Sequence, residues 1–318
     1  MNAAVVHKLG EPPRCEPFPD PVAGDNEVLI EVRAASLKPV DKQMASGKHY
    51  ATPSVPFIPG TDGVGSLSDG QRVFFGGCRP PYGAMAQRTV VPKAFVFPVP
   101  SALKDEVAAA LPNPGISAWL ALTFRAKLAQ GENVLILGAT GVTGRLAVRI
   151  AKLLGAGRVV AAGRNQQAFE SLRQLGADAT IRLDEAETDL RESFLREAGA
   201  SGFQVVIDYV WGRPTETFLS AITAKTFAAI GTETRLVQAG ESAGPTISLP
   251  AAVLRSTALT ILGTAGVPSR QVLTGAFEQV MNYAAKGELP MEIKCVPLAD
   301  VAAAWNSDHS GQRTVLVP

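Results

Sequence analysis

Cysteine is scarce, with 3 in 318 residues. Cys15, Cys78 and Cys295 lie far apart, form no CxxC pair and lay out no disulfide ladder, which excludes a cystine-stapled secreted scaffold and suits a reducing compartment. Charge of one sign is also lacking. The formal net charge is +1, so no overall field draws nucleic acid or an anionic membrane surface. Long apolar runs are missing as well: Arg255 breaks the best candidate, residues 251–262, and nothing else approaches the length of a bilayer span. The opening Met1-Asn2-Ala3-Ala4-Val5-Val6-His7-Lys8 has no basic region before its apolar run, and that run is too short for a signal peptide. Internal repeats and low-complexity tracts do not occur. These absences leave a soluble cytoplasmic protein as the expectation, with neither nucleic acid nor membrane as partner.

What the chain does have is a glycine turn in the right setting. Residues 134–137 form a short apolar run that leads into Gly138-Ala139-Thr140-Gly141-Val142-Thr143-Gly144. Leu146, Ala147, Ile150, Ala151 and Leu154 then recur at helical spacing, and residues 159–162 form a second apolar run. Strand, turn, helix and strand make a βαβ unit whose first turn is where dinucleotides bind. The glycines allow a sharp turn (Gly138), approach of a pyrophosphate to the backbone (Gly141) and close helix packing (Gly144). The helix N-terminus offers free N–H groups and the positive end of its dipole to phosphates. Alanine opens the stretch Ala139–Gly144 that stands for the usual G-x-G-x-x-G, and the bland alternative is a tight turn without a ligand.

The end of the second strand discriminates between coenzymes. A carboxylate there holds the ribose 2′-OH of NADH. This chain has Gly163-Arg164-Asn165 instead. A guanidinium pairs bidentately with a 2′-phosphate, so the cofactor expected is NADPH. The alternative is that Arg164 is a solvated surface residue. Arg182 is a second cation available to the same phosphate.

Up to about Pro112 the chain reads as β-rich. Strands are predicted near residues 3–7, at 28–34 (where Val28, Ile30, Val32 and Ala34 alternate with charged neighbours), and at 72–75, 86–91 and 95–97. The prolines from Pro12 to Pro21 read as an irregular loop. Residues 104–111 predict a short helix, broken by Pro112-Asn113-Pro114-Gly115, and residues 116–128 a longer one. Strands at 134–137, 159–162, 179–181, 205–208, 236–238 and 259–262 then alternate with helices such as 167–175 and 190–198, which predicts a doubly wound parallel sheet. Residues 271–286 read as a long helix, and 293–296, 301–305 and 314–317 as strand, helix and strand that return to complete the first domain.

Several stretches carry a resemblance. They are Ser36-Leu37-Lys38-Pro39-Val40-Asp41, Pro59-Gly60-Thr61-Asp62-Gly63-Val64-Gly65, Gly83-Ala84-Met85-Ala86, Ala110-Leu111-Pro112-Asn113-Pro114-Gly115-Ile116-Ser117-Ala118-Trp119, the glycine turn, Leu175-Gly176-Ala177-Asp178 and Gly311-Gln312-Arg313-Thr314-Val315-Leu316-Val317-Pro318. In this order, over nearly the whole length, the chain resembles the zinc-independent quinone oxidoreductase branch of the medium-chain dehydrogenase/reductase superfamily. The resemblance implies an α/β protein in which a Rossmann doubly wound parallel sheet, residues 116–265, is inserted in a GroES-like β-barrel catalytic domain of residues 1–115 plus 266–318. It also implies a cleft for NADPH and acceptor, a homodimer, and quinones, enones or alkenals as hydride acceptors.

Zinc-dependent relatives place a cysteine near Lys38 and a histidine near Thr61. Here those positions hold an ammonium and a hydroxyl, Asp62 alone cannot hold the ion, and the lobe of closely spaced cysteines is missing, so no metal is expected. Chemistry without a metal needs a positioned acceptor and donors where negative charge develops. Lys38, where many relatives carry asparagine, either stabilises an oxyanion or positions the ribose, or else turns to water or pairs with Asp41. Tyr50 either relays a proton or is a rim residue. Gln43 falls where some quinone reductases carry an active-site tyrosine, so that role does not transfer. Ser117 lies in the segment that reaches the nicotinamide in the family, or caps a helix. Gly240, Gly263 and Thr264 follow predicted sheet strands, where open α/β sheets bind ligands. With Gly138, Ala139, Thr140, Gly141, Val142, Thr143, Gly163, Arg164 and Asn165 they make the expected cofactor site. The expected activity is NADPH-dependent hydride transfer to quinones or α,β-unsaturated carbonyls. The alternative is a non-catalytic NADPH-binding redox sensor or structural dimer.

Overall fold

Alternation dictates the first strands. The computed structural model describes residues 1–223, 232–264, 268–307 and 311–318. Strand β1 (Asn2–Val5) pairs antiparallel with β2 (Arg14–Pro17), so the proline-rich stretch is not wholly irregular. Pro17 sits at the end of a two-stranded ladder, where a missing N–H is tolerated. In β3 (Glu27–Ser36), Ile30, Val32 and Ala34 are buried while Glu31 and Arg33 face solvent. Helix α1 (Pro39–Ala45) starts on a proline, which costs nothing at a first turn. Strands β4 (Asp62–Ser66), β5 (Arg72–Gly76), β6 (Arg88–Pro92) and β7 (Val96–Pro98) follow, then the short helix α2 (Asp105–Ala110).

The short helix ends at Ala110 as expected, but helix α3 (Pro112–Leu120) starts at Pro112, four residues before the expected Ile116. Pro112 and Pro114 lie in its first turn, where the N–H groups they lack would be unpaired anyway, and the helix closes in a π-helical turn, Ala121–Arg125. Next come β8 (Asn133–Leu137), α4 (Val142–Leu153), β9 (Arg158–Gly163), α5 (Phe169–Gln174), β10 (Ala179–Arg182), α6 (Glu187–Ala198), β11 (Val205–Asp208), α7 (Gly212–Ile222), β12 (Thr234–Gln238), α8 (Ala251–Ser256) and β13 (Leu259–Gly263). Their sheet is parallel throughout, in the order β10-β9-β8-β11-β12-β13. The winding runs outward from β8 to β10, then restarts at β11 on the other side of β8. The two directions diverge where Leu137 pairs with Asp208, which makes this the switch point of a doubly wound sheet. Leu146 and Ile150 of α4 are buried, each side chain contributing about 1.5–3 kcal/mol of burial.

Helix α9 (Arg270–Ala285), β14 (Ile293–Pro297), α10 (Val301–Asn306) and β15 (Arg313–Val317) complete the order. The seven-stranded sheet runs β14-β15-β3-β4-β5-β7, with β6 on the free stretch of β3. Two compact units result, Met1–Asn113 with Met281–Pro318 and Pro114–Val280. The domain boundary expected between residues 265 and 266 lies outside the described residues. The first unit's core includes Val5, Ile30, Phe57, Phe75 and Trp305, and the second's includes Leu135, Val160, Phe194 and Phe218. Among the described residues no helix is long and apolar enough to cross a membrane.

Candidate functional site

In the second unit, β8 delivers the chain into the glycine turn. Gly138 has φ +86°, a conformation that L side chains rarely adopt, and its N–H and that of Ala139 both donate to Ala162 O, at 2.9 and 2.8 Å. The turn is thereby pinned to β9. Gly141 is the N-cap of α4, so the first N–H groups of a 12-residue helix point out of the turn. A Cβ on Gly144 would stand 2.3 Å from Gly138 O and 2.6 Å from Ala139 Cα, so only glycine lets the helix start this close. Thr140, Val142 and Thr143 are half-buried around the exposed Gly141, and Thr140 packs against Gly163. The arrangement offers a phosphate unpaired backbone donors and the positive end of a helix dipole.

Arg164 follows β9 immediately and is exposed, with no hydrogen bond or ion pair among the described residues. Asn165 accepts the Gln167 N–H, so its side chain shapes the next turn. Gly240 N donates to Asp208 O at 3.1 Å, and Thr264 N donates to Gln238 O at 3.1 Å. Gly240, Gly263 and Thr264 therefore stand on the same carboxyl edge of the sheet as the glycine turn. Ser117 is half-buried at the sixth position of α3, so it does not cap that helix.

The first unit holds a buried polar centre. Lys38 is 1% exposed. Its Nζ donates to Asp62 Oδ1 at 3.0 Å and to Ser36 O at 3.2 Å, with Asp41 Oδ2 at 3.6 Å. Asp41 Oδ2 also accepts the Lys38 backbone N–H at 2.8 Å, and Thr61 Oγ1 donates to Asp62 Oδ2 at 3.1 Å. Burial alone would push the ammonium down, but the Asp41 and Asp62 carboxylates outweigh it and hold Lys38 above the ordinary lysine value. Of the alternatives read from the sequence, the inward pairing with Asp41 is present, joined by Asp62, and the turn to water is not. Tyr50 is 98% exposed and stacks on His49 with ring centroids 4.3 Å apart, and its hydroxyl has no partner among the described residues.

Comparison with known proteins agrees with this architecture. Residues 24–101 match the family described as alcohol dehydrogenase GroES-like domain, and residues 142–285 match zinc-binding dehydrogenase. A quinone oxidoreductase-like protein 2 homolog from Nematostella vectensis is 26% identical over 303 residues, 91% of this chain and 80% of its own. A probable NADPH-dependent quinone reductase from Emericella nidulans is 27% identical over 364 residues, with all of both chains covered. The solved quinone oxidoreductase from Thermus thermophilus, whose structures include a complex with NADPH, superposes with TM-score 0.80 over all of both chains at 28% identity.

The chain belongs to the quinone oxidoreductase-like branch of the medium-chain dehydrogenase/reductase superfamily.

For a member of this superfamily, the residues that sequence reasoning missed are at the end of β11 and just beyond it. Asp208 is fully buried at the switch point. Its Oδ1 accepts the N–H groups of Val210 and Trp211, both at 2.8 Å, and its Oδ2 accepts the Thr215 hydroxyl at 2.5 Å. Burial pushes this carboxyl up, against the pull of those three donors. The grip holds Trp211 at φ +56°, a conformation costly for a residue with a Cβ. Tyr209, between them, packs its Cβ near Gly138, and its buried hydroxyl has no partner among the described residues. The only signal in the sequence is an acid closing the apolar run 205–207. Zinc, which the family description mentions, does not suit the residues present. Asp62 is taken by an ammonium, and burial with the Asp62 charge pushes the Cys78 thiol up to about 12. Among the described residues no group of three or more His, Cys, Asp or Glu could hold a metal ion.

Proposed function

We propose that this protein is an NADPH-dependent oxidoreductase that transfers hydride to quinones or α,β-unsaturated carbonyls without zinc. The observation that carries the reading is the pinned glycine turn at the switch point, with a free guanidinium, Arg164, and no carboxylate at the end of β9. Gly138, Ala139, Thr140, Gly141, Val142 and Thr143 supply backbone donors and close walls for the pyrophosphate. Arg164 pairs with the 2′-phosphate, and Gly163 and Asn165 shape its loop. Gly240, Gly263 and Thr264 line the same edge, and Ser117 supplies a hydroxyl toward the nicotinamide half. NADPH supplies the hydride when bound. The relatives named quinone oxidoreductase-like protein and probable NADPH-dependent quinone reductase support quinones as acceptors. Zinc independence is supported by the Lys38–Asp62 pair, which puts an ammonium where a metal would need a ligand. A homodimer and a cytoplasmic location complete the reading; the three free cysteines suit a reducing compartment.

The test is NADPH consumption with a panel of quinones, enones and alkenals, together with metal analysis of the purified protein. Acceptor-dependent oxidation with substoichiometric zinc is expected; stoichiometric zinc or a preference for simple alcohols overturns it. A second reading, an NADPH-binding protein with little turnover, is favoured by two observations: Lys38 Nζ donates to Asp62 Oδ1, Ser36 O and Ser36 Oγ, and Tyr50 stands in solvent. It predicts tight NADPH binding with no acceptor in the panel consumed.

A further inference from the structure

Three charges share the carboxyl edge beyond β9 and β10. The two strands are parallel neighbours in which Arg182 pairs with Gly163, and Leu183 N donates to Gly163 O at 3.0 Å. Arg182 therefore stands beside the residue that precedes Arg164. The sequence alone offers both guanidiniums to a 2′-phosphate. The structure treats them differently. Arg182 is clasped by Asp184 through two bonds, Nε to Oδ1 at 2.7 Å and Nη2 to Oδ2 at 3.0 Å. Arg164 has no such partner among the described residues, although its charge helps, after that of Arg182, to hold the Asp184 carboxyl below its ordinary value.

We propose that Asp184 sets the coenzyme preference by holding Arg182 away from the 2′-phosphate, so that Arg164 alone reads it. This rests on the NADPH reading above. The fork of a guanidinium matches a carboxylate and a phosphate equally well, so the two compete for the same pair of N–H groups. Together the three side chains carry one net positive charge, and without Asp184 they carry two. A ribose hydroxyl is indifferent to that change, whereas a phosphate responds to it. Asp184 is thus a brake on NADPH affinity and a specificity-determining residue without contact to the coenzyme.

The experiment is calorimetric titration of Asp184→Asn with NADPH and with NADH at fixed ionic strength, read as the ratio of dissociation constants. The expected result is NADPH binding tightened roughly fivefold, the size of effect an exposed ion pair supports, with NADH changed by less than about twofold. Adding Arg182→Ala to Asp184→Asn should return NADPH binding to the wild-type value, because the released guanidinium is what provides the gain. The proposal is overturned if Asp184→Asn leaves the ratio unchanged, or if its gain survives in the double variant, which would reduce Asp184 to simple repulsion. A wild-type protein that binds no NADPH overturns the coenzyme reading and this inference with it. A wild type that binds NADPH, with an unchanged ratio in the variant, overturns only the role of Asp184.

Discussion

Lys38 Nζ lies 3.0 Å from Asp62 Oδ1, and both side chains are buried. With Asp41 at 3.6 Å, one ammonium serves two carboxylates in the heart of the first unit. Lys38→Met removes the ammonium and leaves both acids with only the buried Arg313 guanidinium nearby among the described residues. A buried pair broken from one side costs about 3–5 kcal/mol, so urea unfolding at neutral pH should show a loss of that order. A loss below about 1 kcal/mol would mean that the carboxylates rearrange into water. The pair also sets a pH dependence. Because the folded state holds Lys38 above its ordinary value of 10.5, its contribution is fully present below that pH and is lost as pH rises through the higher folded value. Wild-type stability should therefore fall more steeply above pH 10.5 than that of Lys38→Met.

Cys78 gives a second reading of the same centre. With its thiol pushed up to about 12 by burial and the nearby Asp62 charge, roughly one molecule in a thousand carries the thiolate at pH 9. Cys295 is exposed and Cys15 half-buried. Timed alkylation followed by peptide mass spectrometry should label Cys295 first and Cys78 last. Cys78 is itself half-buried, so its reacting as fast as Cys295 would show that burial and the Asp62 charge do not hold its thiol up.

Gly144→Ala probes the glycine turn. The added methyl meets backbone atoms at 2.3 and 2.6 Å, and backbone cannot swing aside as a flexible side chain can. Overpacking of this kind costs about 1–3 kcal/mol. Thermal unfolding should show that loss, and calorimetry should show weakened NADPH binding as α4 is pushed off its start. A variant with wild-type stability and affinity would show that the turn adjusts freely.

Arg164→Asp tests the coenzyme reading directly. It exchanges the free guanidinium for a carboxylate that repels a 2′-phosphate and can accept a bond from a 2′-OH. NADPH affinity should fall about tenfold or more while NADH affinity holds or improves, measured side by side in the same buffer. An unchanged preference removes the reason for choosing the phosphorylated coenzyme.

The six parallel strands are legible in the sequence because a parallel sheet is covered on both faces, so its strands appear as continuous apolar runs such as Val134 to Leu137. The turn that follows β8 is legible for the same reason, from its setting. Strand β4 is not, because Gly63 and Gly65 interrupt its pattern: a Cβ on Gly65 would stand 2.4 Å from Glu31 O, and that closeness to β3 is a tertiary fact. Helix α7 hides behind Gly212 and Pro214 in its first turn. The fate of Lys38 is equally out of sight, since its main partner lies 24 residues away and only the folded chain brings the two charges together. Arg182 and Asp184 are two residues apart, yet their clasp depends on rotamers that no periodicity reveals.

The pairing of β15 with β3 sets an order of events during synthesis. Arg313 Nη1 donates to Leu37 O across 276 residues of chain, and everything that forms the second unit is translated in that interval. The six-stranded sheet can thus mature on the ribosome while β3 still waits for β15, and the price is a long-range closure deferred until residue 313 has emerged. A ribosome that stalls before that point would leave a chain able to grip a nucleotide but with Ala35 and Ser36, the end of β3 beyond its pairing with β6, without their β15 partners.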